Sequence, residues 1–587
     1  MALTRVIIHM GATIHPDSTT VIRSARLVDG SGSPARPADV SFSEGTITAV
    51  EDAGTASTAH AGRVIDADGL LLTPGWVDIH THYDAQATWD PWMTPSSWHG
   101  ATTVVFGNCG VGFAPVHEDR HDFLIELMEG VEDIPGSAMV EGLQWGWTSF
   151  PEYLDVLGSQ KRVLDVGALM AHGPLRVFVM GDRGAANEMA TDADIVAMTA
   201  LVDEAMAHGA MGFSTSRTPI HRSKSGDLVP GTTADDRELL ALGGAVGRKK
   251  RVFTFSPEHT RLLADEWPWM TEMARRTGAT VSVNLNQADE APDIWRDVLA
   301  NLDAAHRDGL SIVAQVAGRS IGVLMCLEGT FHPLVFHPAW QEIAALPHDE
   351  RVRRLRDPQV RAKFMNLPDD GGFFENLVLK RLWKMFPVTT GNIDYEPDPA
   401  TASVEALAKA AGTNPLDMVY DQMLSRDGRG MIYMPFFNYA YGDLSMTHEL
   451  LQHPHTRNGL SDAGAHCGAI CDGGMPTFLL THWVRDRRRG PRLALEQMVH
   501  RQTRRTAEVY GLTDRGLVAP GMRADLNLID FDGLSFDMPE MVYDLPANGR
   551  RLVQHATGYV ATFCNGVQTV ADDAFTGELP GQLIRAR

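Results

Sequence analysis

Cysteine is scarce in this chain, with five residues among 587, and the five are unevenly spaced. That pattern does not form the disulfide framework of a small secreted domain. No apolar run reaches the length of about 18 residues that a membrane-spanning helix needs. The first residues also lack the basic segment and long apolar run of a secretory signal. The sequence therefore predicts a soluble, cytoplasmic protein that does not bind to a membrane.

Basic residues are outnumbered as well: 51 Lys and Arg stand against 74 Asp and Glu, a formal net charge of -23. So acidic a surface repels a phosphate backbone, which argues against a nucleic-acid partner but not against an anionic small substrate. The glycine-rich piece 107–112 lacks the Lys-Ser/Thr ending of a phosphate loop. No Gly-x-Ser-x-Gly elbow of a serine hydrolase occurs.

The hydrophobic pattern changes along the chain in a way that predicts two domains. Residues 1–73 and 508–587 contain short alternating runs and turns, typical of one composite β-sandwich domain formed by both chain ends. Within 74–507, short apolar strands alternate with helical patterns, which indicates a parallel sheet covered by helices and, with eight strands, an α/β protein with a (β/α)8 TIM barrel. The candidate strands are 76–80, 102–107, 166–171, 211–215, 252–256, 280–285, 312–316 and 460–462.

An insertion of about 328–446 interrupts this alternation before the last barrel strand. It contains aromatic- and proline-rich patches and a helical stretch at 352–364. It is either a lid over the barrel or a helical subdomain. Together with the β domain, it offers surfaces through which a homo-oligomer could form.

The most distinctive local motif is Pro74-Gly-Trp-Val-Asp78-Ile-His80-Thr-His82. Alternate residues of a strand share a face, so Asp78, His80 and His82 point the same way. At the carboxyl end of a barrel strand, two imidazoles lie where active sites are built, and they make half of a zinc site. The alternative is a pair of hydrogen-bonded structural histidines.

With Ser461-Asp462 near the last strand, this motif resembles the amidohydrolase superfamily of metal-dependent hydrolases. Residues 100–110 (GATTVVFGNCG) resemble the second-strand motif of the D-aminoacylases, or N-acyl-D-amino-acid deacylases. Residues 171–181 and 521–525 resemble the third-strand segment and the closing strand. The resemblance covers nearly the whole chain. It implies hydrolysis of a non-peptide amide C–N bond, with an N-acyl-D-amino acid or a related carboxylate-bearing amide as the small-molecule substrate.

The resemblance also implies a set of site residues. His80 and His82 would be metal ligands and Cys109 the thiolate ligand, although Cys109 could also be a small buried hydrophobe. Asp462 would hold the reactive water and move its proton, which suits general acid/base catalysis. A thiolate favours zinc among the common ions. His172 would stabilise the oxyanion, or else play a structural role.

The sequence departs from the family at strands five and six, whose ends carry metal-binding histidines in the D-aminoacylases. Here the strand ends read VFTFSPEH at 252–259 and VSVNLNQ at 281–287. His259 could reach inward, but a solvent-facing loop position is the favoured interpretation. We therefore expect one zinc, held by His80, His82, Cys109 and Asp462, with two zincs as the alternative. A carboxylated lysine bridge is not expected, because no lysine ends a candidate strand.

Other polar residues near strand ends are candidates for substrate binding. Arg217 and Arg319 could grip a substrate carboxylate with a bidentate fork, or form structural salt bridges. Asn284 and Gln315 could orient an amide, while His466 and Cys467 could support Asp462. Two alternatives to the hydrolase stay open: a catalytically weak barrel that acts as a binding or assembly protein, and a lyase or decarboxylase on the same scaffold.

Overall fold

The computed structural model describes residues 19–366, 372–389, 391 and 393–587. The first residues, for which the sequence predicts no secretory signal, lie outside these ranges. Within the described ranges we find no helix whose length and apolar content would suit a membrane span.

Eight parallel strands lie side by side in chain order and form the predicted barrel. Nearly all of their residues are buried, because helices cover the outside of the barrel and side chains fill its interior. The (β/α)8 prediction is thereby confirmed. The strands are Trp76–Thr81, Ala101–Phe106, Asp165–Ala171, Gly212–Ser216, Val252–Ser256, Thr280–Asn284, Ile312–Val316 and Thr456–Asn458.

The position predicted for the eighth strand is wrong: the strand is Thr456–Asn458, not 460–462. Leu460 and Asp462 have φ angles of +58° and +46°, which an extended strand does not allow. Residues 460–462 instead turn toward the first strand, where Ala463 bridges Thr81 and closes the barrel. We call this junction the seam of the barrel.

Helices pack around the barrel and supply the α half of the repeating unit. The helix Asp192–His208 begins with a capping box, in which Thr191 and Asp194 satisfy each other's backbone N–H groups, and it ends at Gly209 with φ +103°. The helices outside the insertion are His121–Glu132, Gly136–Gly142, Phe150–Ser159, His172–Met180, Asp182–Ala185, Asp192–His208, Asp236–Arg248, Trp267–Thr277, Ile294–Arg307, Met475–Phe478, Leu495–Gln502 and Arg504–Val509, with π-helical turns at Leu262–Glu266 and Leu479–Asp486.

Strands from both chain ends join in one nine-stranded sheet. The joint is the antiparallel pairing of Leu71–Pro74 with Leu526–Ile529. The sheet also contains Thr20–Leu27, Arg36–Ser43, Thr46–Asp52, Arg63–Asp66, Tyr559–Cys564, Val567–Ala571 and Ala574–Phe575. Two small ribbons pair Ser535–Phe536 with Ala556–Thr557 and Glu540–Leu545 with Gly549–Val553.

The insertion between the seventh and eighth barrel strands contains a sheet that the sequence does not predict. Its three antiparallel strands are Ile321–Met325, Phe386–Val388 and Met431–Phe437. The predicted helical stretch 352–364 is two helices with a break before Pro358, which cannot continue a helix from the preceding turn. The helices of the insertion are His348–Leu355, Pro358–Phe364, Phe373–Leu377, Pro399–Ala402, Val404–Ala411, Pro415–Gly428 and Ser445–Leu450.

A buried ion network connects the barrel with the chain beyond its last helices. Arg515 donates to Asp165 on the third barrel strand and to Thr103 Oγ1 on the second, each at 2.8 Å. Arg523 lies 2.9 Å from the same Asp165 carboxylate. Removing one partner of a buried ion pair lowers the free energy of unfolding by more than the intact pair adds to it. The reason is that the remaining charge stays buried without a counter-ion.

We expect Arg515→Leu to lower the free energy of unfolding by about 3 kcal/mol, since Asp165 then keeps, among the described residues, only the ion pair with Arg523. Arg275→Leu is the matched control, because its partner Glu272 is on the surface and water replaces the contact. Urea denaturation of both variants measures the difference. Equal losses of stability would contradict a role for the buried network.

Candidate metal centre

Three side chains with metal-binding atoms converge where the barrel strands end. His80 and His82 come from the first strand and the residue just after it, and Cys109 follows the second strand. One ligand atom from each lies within 4.8 Å of the other two, and all three residues are buried. Cys109 Sγ is 3.5 Å from His80 Nε2. This end of the barrel is where TIM barrels carry their active sites.

Asp462 reaches the same cluster from the seam. Its Oδ1 lies 3.2 Å from His80 Nε2 and 3.5 Å from His82 Nε2. The seam fixes this position, because the Asp462 backbone N–H donates to the carbonyl of His80 at 3.2 Å. The four predicted ligands are thus brought together by three separate segments of the chain.

Two imidazoles and a thiol are ligands that zinc prefers, and Asp462 adds a carboxylate oxygen against the two imidazoles. Zinc–nitrogen, –oxygen and –sulfur bonds of about 2.0–2.3 Å in a tetrahedron place neighbouring ligand atoms about 3.3–3.6 Å apart. The three distances quoted above, 3.2, 3.5 and 3.5 Å, are close to these tetrahedron edges. Nε2 of buried His82, the ring nitrogen on the side of Asp462, also lacks a hydrogen-bond partner among the described residues, a deficit that a metal ion would relieve.

Gln315 holds the ring of His80 in the orientation that ligation needs. The amide nitrogen of Gln315 donates to Ser282 Oγ at 2.9 Å and to Thr254 Oγ1 at 3.3 Å. Its oxygen therefore faces His80 Nδ1, at 2.9 Å, and accepts a hydrogen bond from it. Nε2 of His80 keeps its lone pair for a metal, as is common around metal-bound histidines. Both ends of the Gln315 amide are thus bonded within the protein, and its predicted role in orienting a substrate amide stays a prediction.

Burial and neighbouring charges set the ionisation of the cluster. Burial lowers the pKa of His82 to about 4, so this ring is neutral at pH 7 and able to ligate. Burial opposes ionisation of Asp462, but His80 and His82 outweigh it and hold its pKa well below the usual range. Burial, together with Glu132 and Asp462, raises the pKa of the Cys109 thiol. A bound dication would reverse that last shift, because a coordinating thiol is deprotonated.

Glu132 belongs to the site although no sequence pattern pointed to it. It is the last residue of the helix His121–Glu132, and its Oε1 lies 3.4 Å from His82 Nδ1. Its Oε2 lies 3.6 Å from Nε2 of His466, which was predicted to support Asp462. A carboxylate behind a ligating histidine is a common arrangement in metal sites. The helix position of Glu132 has no spacing relation to the strand motif, so only the fold reveals it.

His221 is a second residue that sequence reasoning missed. It follows the fourth barrel strand, and its Nδ1 is 2.9 Å from Ser216 Oγ. Burial lowers the pKa of His221 to about 3, with further lowering by His466 and His82, so its ring lies within electrostatic range of the cluster. Its place after a barrel strand is the signal that could have identified it. Cys467, by contrast, is buried outside the group that could hold a metal.

His172 is not free to meet a substrate. Its Nδ1 lies 2.8 Å from Thr215 Oγ1, and its Nε2 lies 2.7 Å from Glu238 Oε1. Glu238 is also paired with the guanidinium of Arg176. With both ring nitrogens engaged within the protein, the contacts of His172 favour its structural role over the predicted oxyanion role.

The two candidate arginines are engaged in ion pairs. Arg217 Nε is 3.2 Å from Glu266, and Arg319, fully buried, is 2.7 Å from Asp472. These contacts favour structural salt bridges over substrate binding for both arginines. Asn284 ends the sixth strand, and its buried Oδ1 has no hydrogen-bond partner among the described residues. Its predicted role in orienting an amide stays a prediction.

His259 is buried, with 7% of its surface exposed, so its favoured interpretation as a solvent-facing loop histidine is wrong. It packs edge-on against Phe437 of the insertion, with ring centroids 5.1 Å apart. Its Nε2 lies 3.5 Å from the amide nitrogen of Asn286, beyond the sixth strand. The strand ends that depart from the D-aminoacylase pattern are therefore covered by the insertion.

A barrel with histidines, a thiol and a seam aspartate at its carboxyl end is typical of hydrolases that act on C–N bonds. The chain belongs to the amidohydrolase family, whose model matches residues 63–570. Accordingly, it is a hydrolase that acts on non-peptide C–N bonds.

Similar proteins include two from Alcaligenes xylosoxydans xylosoxydans. N-acyl-D-aspartate deacylase is 28% identical, over 96% of this chain and 94% of its own. D-aminoacylase is 26% identical, over 96% of this chain and 97% of its own. The crystal structure of a D-aminoacylase matches the fold with a TM-score of 0.64 at 22% identity, covering 97% of this chain and 99% of that one.

We expect Gln315→Leu to weaken zinc binding by about 10–100-fold, because His80 loses the acceptor that fixes its tautomer and orientation. Competition with a chromophoric chelator measures the affinity. Gln422→Leu is the control, since the Gln422 amide donates to the backbone carbonyls of Val388 and Met431 inside the insertion. An unchanged zinc affinity in Gln315→Leu would remove Gln315 from the metal centre.

Proposed function

We propose that this protein deacylates N-acyl-D-amino acids, using one zinc ion held by His80, His82, Cys109 and Asp462. The observation that carries the proposal is the convergence of His80, His82 and Cys109 at the carboxyl end of the barrel, with Asp462 against both histidines. The names of the similar proteins, N-acyl-D-aspartate deacylase and D-aminoacylase, support the substrate class.

Zinc bound there would polarise the acyl carbonyl and lower the pKa of water toward neutrality. Asp462 is the group that moves the proton. Its carboxylate is ionised at neutral pH, and the side chain is 14% exposed, whereas those of His80 and His82 are 1% exposed. It is therefore the member of the cluster most open to substrate and water.

The proton balance of the reaction runs through Asp462. The oxygen of water attacks the acyl carbon while an Asp462 oxygen accepts the proton of that water. When the C–N bond breaks, Asp462 returns the proton to the leaving nitrogen, and the products are a carboxylic acid and an amine, which ionise in water to a carboxylate and an ammonium ion. Both histidine contacts of Asp462 involve Oδ1, so Oδ2 is the oxygen we assign to this transfer.

We expect Asp462→Asn to keep the fold and most of the zinc but to lower kcat by about 10²–10⁴-fold, because an amide cannot accept the proton of water. The measurement is turnover of N-acetyl-D-amino acids, with the L-enantiomers alongside, combined with zinc content by elemental mass spectrometry. Asp303→Asn, on the outer helix Ile294–Arg307, is the control.

Near-normal turnover by Asp462→Asn would remove Asp462 from the proton transfer. Zinc-loaded wild-type protein that releases no amine from any N-acetyl-D-amino acid would contradict the substrate class.

A further inference from the structure

His259 is a buried, neutral histidine at the same end of the barrel as the metal centre. It lies three residues beyond the fifth barrel strand, Val252–Ser256, on the side where the strands end. Burial lowers its pKa to about 4, so at pH 7 the ring carries a single proton.

A chain of hydrogen bonds determines which ring nitrogen of His259 carries that proton. The backbone N–H of Gln287 donates to Asn438 Oδ1 at 2.7 Å, and a backbone N–H can only donate. The amide of Asn438 is thereby oriented, so its Nδ2 donates to Asn286 Oδ1 at 3.1 Å.

The orientation of Asn286 then fixes the tautomer of the histidine. With its oxygen engaged, Asn286 turns its Nδ2 toward His259 Nε2, at 3.5 Å. Nε2 must act as the acceptor, so the proton is on Nδ1. That Nδ1 is buried and has no hydrogen-bond partner in the part of the chain that the structure describes. A buried donor without a partner is unfavourable, and it is satisfied when a ligand brings an acceptor.

We propose that His259 donates its Nδ1–H to the carboxylate of the substrate and does not ligate a metal, with Asn286 and Asn438 holding it in this tautomer. The substrate contact rests on the proposed function. A protonated Nδ1 has no lone pair for a metal, and Nε2 faces an amide donor. The two arginines that could have gripped a carboxylate are engaged with Glu266 and Asp472. The insertion thus takes part in substrate recognition through Asn438.

The test compares His259→Phe, which keeps a ring of similar shape without a donor, with His259→Asn, which restores an N–H near the Nδ1 position. We expect His259→Phe to raise KM for N-acetyl-D-amino acids by about 10–100-fold, with little change in kcat and unchanged zinc content. His259→Asn should recover most of that loss. On N-acetyl-D-amino acid amides, which lack the carboxylate, the two variants should resemble wild type.

A loss of zinc in His259→Phe, or an unchanged KM for the carboxylate substrates, would overturn the proposal. An equal rise in KM on the amide substrates would assign the bond to the acyl oxygen and overturn the carboxylate contact.

The tautomer has an independent readout in the imidazole nitrogen resonances of protein labelled with ¹⁵N-histidine. The pair of imidazole nitrogen resonances that disappears in His259→Phe is assigned to His259. In the wild type, this pair should show a protonated Nδ1 and an unprotonated Nε2. Asn438→Ala should change that pattern and raise KM, because Asn286 is then no longer oriented. A protonated Nε2 in wild type would overturn the assignment. Should wild type hydrolyse no N-acyl-D-amino acid, the substrate contact falls with the proposed function, whereas the tautomer is decided by the spectrum alone.

Discussion

Ser461 and Asp462 lie at the seam where the barrel closes, and the backbone contacts across that seam hold the site together. The N–H of His82 donates to the carbonyl of Ala463 at 2.8 Å. The hydroxyl of Ser461 donates to the Asp78 carboxylate at 2.5 Å. Because these bonds connect the first strand with the chain after the eighth, Asp462 is brought against His80 and His82. Without closure the aspartate and the histidines, almost 400 residues apart in the chain, would have no common position.

Much of the barrel could be predicted from the sequence, because each strand is a short apolar run beside a helical pattern. The eighth strand could not, since Thr456–Asn458 is three residues long and polar. The apolar Leu460 nearby suggests a strand, but its positive φ belongs to the turn that reaches the seam. The sheet of the insertion was also missed. Its central strand, Met431–Phe437, pairs with partners that are distant in sequence, and such pairings leave no local period.

For the candidate site, the residues on strand ends were predictable and their partners were not. His80, His82 and Cys109 lie in motifs whose spacing carries meaning on a strand. Glu132 ends a helix and Gln315 lies on the seventh strand. Only the three-dimensional arrangement shows that Glu132 contacts His82 and that Gln315 contacts His80. The contact between His259 and Asn286 likewise could not be predicted from the sequence. Beyond the fifth and sixth strands, whose ends carry histidines in the D-aminoacylase pattern, His259 and Asn286 form a hydrogen-bond chain with Asn438 of the insertion.

The central claim is a single zinc ion with one sulfur among its four protein ligands, and X-ray absorption at the zinc edge tests it most directly. Protein loaded with one equivalent of zinc should show one sulfur at about 2.3 Å and nitrogen or oxygen neighbours at about 2.0–2.2 Å. No second metal should appear at about 3.5–4 Å, the separation found in two-metal sites. A spectrum without sulfur would remove Cys109 from the centre, and a metal–metal distance would contradict the single-ion site.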